Sequence, residues 1–139
     1  MDYKIIILFY SALGILASYQ DIKKREVSNI IHILIILISL PMLSISKILT
    51  CIVIFTLFLI PNLIKESSIG GADIKFMATS SLILGIKNIL VGSLVGLVSA
   101  IIITTLRNSR KSEEEKNNRI ALIPYLYFGC MVALLTSFI

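Results

Sequence analysis

The chain has 139 residues and eight acidic side chains, and position alone sorts those eight. Asp2 lies ahead of the first apolar stretch, Glu66 flanks another, and Glu113, Glu114 and Glu115 sit in a charge-rich run, so each of these five has a simple solvated explanation. Asp21, Glu26 and Asp73 remain. Asp21 directly follows one apolar stretch, and Asp73 directly precedes another, with Gly70-Gly71-Ala72 in front of it. Two carboxylates held close together share one proton, so one can deprotonate a water while the other protonates a carbonyl. That is hydrolysis of the aspartic-protease kind, and it needs neither a nucleophilic side chain nor a metal. The competing reading is two separate helix-end aspartates, with Asp73 capping a helix start through its side-chain oxygen. Gly70-Gly71-Ala72 allows close backbone approach or a positive φ just before the carboxylate, and it serves tight helix packing equally well. The single histidine, His32, lies in an isoleucine run and reads as a packed neutral ring, which excludes a zinc site. Cys51 and Cys130 each lie inside an apolar run, so neither a disulfide framework nor a paired zinc motif is written, and no cofactor is expected.

The elements that must position Asp21 and Asp73 are legible in composition. Hydrophobic residues make up 57% of the chain and charged residues 15%, with a mean hydropathy of +0.96; a soluble domain carries about 25% charged residues. Of the 21 charges, 17 fall in residues 20–29, 65–75 and 107–119. The stretches between them are too apolar for solvent, which excludes a soluble enzyme, a disordered chain and a folded nucleic-acid reader. Six apolar stretches, Ile5–Tyr19, Ile30–Ile45, Ile48–Ile64, Ile74–Ile86, Ile89–Leu106 and Ala121–Ile139, predict an all-α polytopic membrane protein of about six transmembrane helices in one domain, residues 1–139. The fourth is the weak span, being short and holding Lys75, Thr79, Ser80 and Ser81. No small-residue cleavage pattern closes the first stretch, so it reads as a helix rather than a removed signal peptide. Ten of the thirteen Lys and Arg residues fall on one side of such a bundle; only Lys4, Lys47 and Lys87 fall on the other. The expectation is that loops 20–29, 65–75 and 107–119 are cytoplasmic and both termini outside. Asn29 reads as the cap of the second helix, Arg25 as one turn beyond Asp21 if the first helix continues, and Tyr3, Tyr10, Tyr19, Tyr125 and Tyr127 as interfacial anchors.

Three segments carry a likeness. Asp21-Ile22-Lys23-Lys24-Arg25-Glu26-Val27-Ser28-Asn29 is similar to a D-I-x-x-R-x-I-P-N pattern, Gly70-Gly71-Ala72-Asp73-Ile74-Lys75-Phe76-Met77-Ala78 to G-G-G-D-x-K-x-x-A, and Ile123-Pro124-Tyr125-Leu126-Tyr127-Phe128-Gly129 to a closing I-P-F-x-P-x-x-x-G segment. With these the chain resembles the type IV prepilin peptidases and preflagellin peptidases, membrane aspartyl proteases of the GxGD type. Ser28, Val27, Ala72 and the pair Leu126-Tyr127 depart from the family pattern. The resemblance implies that Asp21 and Asp73 are the catalytic pair and that Gly70, Gly71, Ala72, Arg25, Lys75 and Asn29 support the site or bind substrate. It further implies an endopeptidase that removes a short leader from prepilin-like or preflagellin-like precursors at the cytoplasmic face of the cell membrane. Many bacterial members carry an insert with paired CxxC motifs and an N-methyltransferase activity; no such insert is present, so the implied activity is proteolysis. The alternatives are a general GxGD intramembrane protease, although Gln20 stands where those place a tyrosine before the first aspartate, and a small transporter or pilus assembly factor whose aspartates bind a proton or cation. A transporter would place its carboxylate mid-span, whereas Asp21 and Asp73 sit at span ends.

Overall fold

The computed structural model describes residues 3–65, 70–109 and 120–138. Glu66, Glu113, Glu114, Glu115 and most of the run 107–119 therefore lie outside the described residues, as does part of 65–75. Every regular element among the described residues is helical: α1 (Tyr3–Lys24), α2 (Asn29–Ser39) with a 3-10 turn at Leu40–Met42, α3 (Ile45–Ile64), α4 (Gly71–Asn108) and α5 (Ile123–Phe138). Helices are what isoleucine- and leucine-rich runs must form in lipid, because only there is every backbone donor paired within the segment. α1, α3 and α4 are long and apolar enough to cross a bilayer; Asn29–Met42 and Ile123–Ser137 are shorter apolar helices.

The 38 residues of α4 would run about 57 Å if straight, nearly twice the hydrocarbon thickness. Gly85 breaks it, with φ 73° and ψ 175°, a conformation essentially restricted to glycine. Asp73 and Thr104 line the same cleft although they are 31 residues apart, about 46 Å along a straight helix, so the two arms of α4, residues 71–84 and 86–108, fold back on each other. Lys47 at the start of α3 donates to the Ile83 carbonyl at 3.3 Å and so pairs an acceptor that the break leaves near the end of the first arm.

The first arm is the centre of the molecule. Every residue from Phe76 to Leu84 is buried, the weak fourth stretch being surrounded by the other helices rather than exposed to lipid. Its hydroxyls are satisfied accordingly: Ser80 accepts from Tyr10 at 3.0 Å, Ser81 donates to the Ala78 carbonyl and Thr79 to that of Lys75. Tyr10 is thus a core residue, not an interfacial anchor, because Ser80 offers a buried partner for its hydroxyl. Ile6 and Ala17 of α1, Ile31 and Ile35 of α2, and Ile54 and Phe58 of α3 complete this core.

The second arm packs on α5 through small residues. A Cβ added at Gly92 would meet the Cys130 backbone, one at Gly96 the Leu126 backbone, and one at Gly129 the backbone of both glycines. Such close backbone approach is how helices gain contact area where lipid is as apolar as the protein. Tyr127 of α5 reaches α1, its ring over Gly14 and its hydroxyl donating to the Ser11 carbonyl at 3.1 Å. Cys130 is buried in the α4–α5 contact and Cys51 is half-buried; both are free thiols. His32 is buried, and neither ring nitrogen has a partner among the described residues.

Candidate functional site

α1 ends just past its apolar stretch. Arg25 takes φ 55°, and its amide donates to the Asp21 carbonyl at 2.9 Å, a left-handed cap that stops the helix at Lys24. Arg25 is therefore not a further helical turn, and its strained backbone aims the next segment across the helix end. Ser28, not Asn29, caps α2, its hydroxyl accepting from the Ile30 amide at 3.4 Å while its own amide donates to Gln20 Oε1 at 2.9 Å. This frees the Asn29 side chain, which accepts from Lys75 Nζ at 3.1 Å and so ties the start of α2 to the first turn of α4.

The two aspartates lie outside the apolar segments, Asp21 past residues 5–19 and Asp73 ahead of residues 74–86. Asp21 is 6% exposed, and its Oδ2 accepts from the Ile123 amide at 3.0 Å. Ile123 opens α5, so this amide is one of the donors that a helix start leaves free. Burial raises the Asp21 pKa above the usual carboxylate value, and the Ile123 amide pulls it back in part. Asp73, the third residue of α4, is 8% exposed. Its carboxyl is pushed up to about 7, first by burial and then by the charge of Asp21, against the lowering effect of a hydrogen bond from the Gly70 amide. Asp73 thus does cap its own helix start, as a residue at that position can. The cap uses one oxygen, and Oδ1 is buried with no partner.

Of the three small residues before Asp73, Gly70 is the one the geometry requires. A Cβ there would stand 2.7 Å from Asp73 Oδ2, whereas one at Gly71 would meet nothing within 4 Å. Gly70 has φ −64°, so close approach and not a positive φ explains the glycine. Ala72 is half-buried against the core, where a methyl fits.

Asp21 and Asp73 line one cleft of about 780 Å³. Arg25, Glu26 and Lys75 make its charged lip and Gly70, Gly71 and Ala72 one side; Asn29 acts on it through Lys75. The opposite wall, from Leu97 to Thr105 on the second arm of α4, together with the Ile123 amide, escaped the sequence reading. No group of three His, Cys, Asp or Glu side chains that could hold a metal occurs among the described residues. What the cleft offers is a buried carboxyl pair with raised pKa values, electrostatically coupled and with one free oxygen, which is the arrangement for acid–base chemistry on a bound water.

No curated protein and no solved structure gave a match to the chain. The profile described as the type IV leader peptidase family matches residues 7–105, which include both aspartates and all of the glycine-containing turn. Covering well over half of the sequence, that match shows that the chain belongs to the type IV leader peptidase family.

Proposed function

We propose that this peptidase is an integral membrane aspartyl endopeptidase that removes the short basic leader of a prepilin-like or preflagellin-like precursor at the cytoplasmic face. The observation that carries the reading is the convergence of Asp21 and Asp73, two buried carboxylates from α1 and α4, in one cleft with Asp73 Oδ1 unpartnered. Asp21, whose carboxylate form is favoured by the Ile123 amide, takes a proton from water. The water oxygen attacks the scissile carbonyl carbon while Asp73, protonated near neutral pH, gives its proton to the carbonyl oxygen. Collapse of the resulting gem-diol breaks the C–N bond, with the proton held on Asp21 passing to the leaving amine and a diol proton returning to Asp73. The six helical arms, counting α4 as two, form a single domain of six spans with both termini outside. Its partners are the precursor and the lipid bilayer, and it acts without nucleic acid, metal or cofactor.

Purified chain in lipid vesicles, given a synthetic precursor with a lysine-bearing leader, tests this. Asp21→Asn and Asp73→Asn should each lower cleavage by about 10³-fold or more, with unchanged membrane insertion. The double variant should be no worse than either single one, because the members of one catalytic unit do not add. Full cleavage by either single variant would end the dyad reading.

A further inference from the structure

Hydrolysis needs Asp21 and Asp73 in one cleft and leaves three polar side chains deeper in the bundle without a task. Tyr10 of α1, Ser80 of the first arm of α4 and Cys130 of α5 are all fully buried. The Tyr10 hydroxyl donates to Ser80 Oγ at 3.0 Å and is within hydrogen-bonding reach of the Cys130 thiol, so one oxygen joins three helices. These are the helices that carry the site. Asp21 lies in the last turn of α1, Asp73 in the first turn of α4, and Ile123, whose amide binds Asp21, opens α5. Helical periodicity links the two levels: Tyr10 and Asp21 are eleven residues apart, Ser80 and Asp73 seven, Cys130 and Ile123 seven, about three, two and two turns, so each pair shares one face of its helix. The α1 face between Tyr10 and Asp21 is buried throughout, at Leu13, Gly14 and Ala17. Rotation of any of the three helices about its axis would therefore displace its member of the site and its member of the Tyr10 contact together. Apolar packing alone does not fix that rotation, because lipid is as apolar as the core, whereas a hydrogen bond is directional. Phenylalanine offers the same ring; the hydroxyl is what distinguishes Tyr10.

We propose that Tyr10 is a positioning residue for the aspartate pair: its hydroxyl, bonded to Ser80 and beside Cys130, fixes the rotation of α1, the first arm of α4 and α5, and so holds Asp21 and Asp73 toward each other in the cleft. The effect on rate rests on the peptidase reading of the cleft; the effect on the two carboxyls does not.

Tyr10→Phe and Ser80→Ala, each in the full chain in lipid vesicles, test this with the lysine-bearing precursor and with the infrared band of the Asp73 carboxyl, assigned by its loss in Asp73→Asn. Each variant should lower kcat by about tenfold and leave KM within about twofold, because the carboxyls are displaced and the surface that meets substrate is not. The double variant should be no worse than the worse single one, since one bond is lost in all three. In both single variants Asp73 should titrate lower than in the parent, because the nearby charge of Asp21 is part of what raises it. General loosening of the fold is separated by Ile54→Val, which removes one buried methyl from α3, a helix outside the contact. It should lower the unfolding temperature without moving kcat or the Asp73 titration. Parent values of kcat and Asp73 titration in Tyr10→Phe, a rise in KM alone, or the same changes in Ile54→Val overturn the positioning role and leave the dyad reading standing. A parent chain that cleaves no precursor overturns the peptidase reading, and the Asp73 titration in Tyr10→Phe then decides by itself whether the hydroxyl holds the pair.

Discussion

At the scale of single residues, the Asp73 carboxyl links the pH dependence of stability to the proposed chemistry. Folded, it titrates at about 7 against an ordinary value of 3.8, so across that window the folded chain holds a proton that the unfolded chain has released. Stability therefore falls as pH rises from about 4 to about 7, because the folded state binds more protons there, and it levels off outside the window. Asp73→Asn should flatten this dependence, read as the shift in helical unfolding temperature between about pH 4 and pH 8. The cleavage rate of the parent chain should decline as pH rises through about 7, where Asp73, the proposed general acid, loses its proton. In Asp21→Asn the repulsive neighbour is gone, so Asp73 should titrate lower than in the parent while staying above 3.8, since burial is the larger cause; the carboxyl infrared band follows this directly. An unchanged Asp73 titration in that variant would show that the carboxylates are not coupled. Gly70 makes a steric prediction of its own. Gly70→Ala would move Asp73 Oδ2, a shift that the fold absorbs easily and catalysis does not, so cleavage should drop by about 10²-fold with unfolding temperature unchanged. Gly71→Ala, with open space around it, should retain cleavage, and equal losses at the two positions would contradict the assigned contact.

At the scale of elements, Gly85 has the clearest consequence. An L side chain at φ 73° and ψ 175° costs about 1–3 kcal/mol, although nothing lies within 4 Å of the added Cβ. Gly85→Ala should destabilise the chain by that amount in denaturant unfolding, and Gly85→Val by more; no loss in either would mean that the arms of α4 turn elsewhere. This turn also marks where the sequence was readable and where it was not. The six apolar stretches correspond to the helical arms because charges, polar residues or glycine end each of them, but boundaries shift by several residues: α1 runs on to Lys24, α2 stops at Ser39, α3 starts at Ile45 and the break in α4 falls at Gly85 rather than beyond Ile86. Facing was not readable. In water a helix shows its buried side by an apolar stripe, but lipid is as apolar as the core, so Ile101 at the cleft and Leu106 away from it look alike in sequence. Tyr10 failed for the same reason, since nothing local marks Ser80 as its partner. Ser28 and Asn29 are both good caps, and the choice between them is made by Gln20 and Lys75, which are distant in sequence. The two aspartates were legible because a carboxylate at the edge of an apolar stretch is costly without a role.

At the scale of the whole molecule, charge and geometry divide along one axis. Asp21, the left-handed Arg25, the start of α4 and the start of α5 gather at the cleft end. Lys47 and the turn at Gly85 define the other end, joined by the hydrogen bond to the Ile83 carbonyl, and Lys87 lies two residues beyond the turn. Ten of the thirteen cationic residues fall in 20–29, 65–75 and 107–119, so the cleft end is proposed to face the cytoplasm, since basic loops are retained there during insertion. The prediction is made with single cysteines and an impermeant maleimide applied to intact cells. Ser44→Cys, just before α3, and Asn88→Cys, just past the turn, should be labelled from outside. Lys24→Cys and Ser109→Cys should be labelled only after the membrane is opened. Each position reports on a different connection, so the pattern tests the fold-back of α4 as well as the orientation. Labelling of Asn88→Cys and Ser109→Cys from the same side would mean that the second arm does not cross. Outside labelling of all positions at the cleft end would keep the bundle and reverse it, placing the aspartates where no cytoplasmic precursor could reach them.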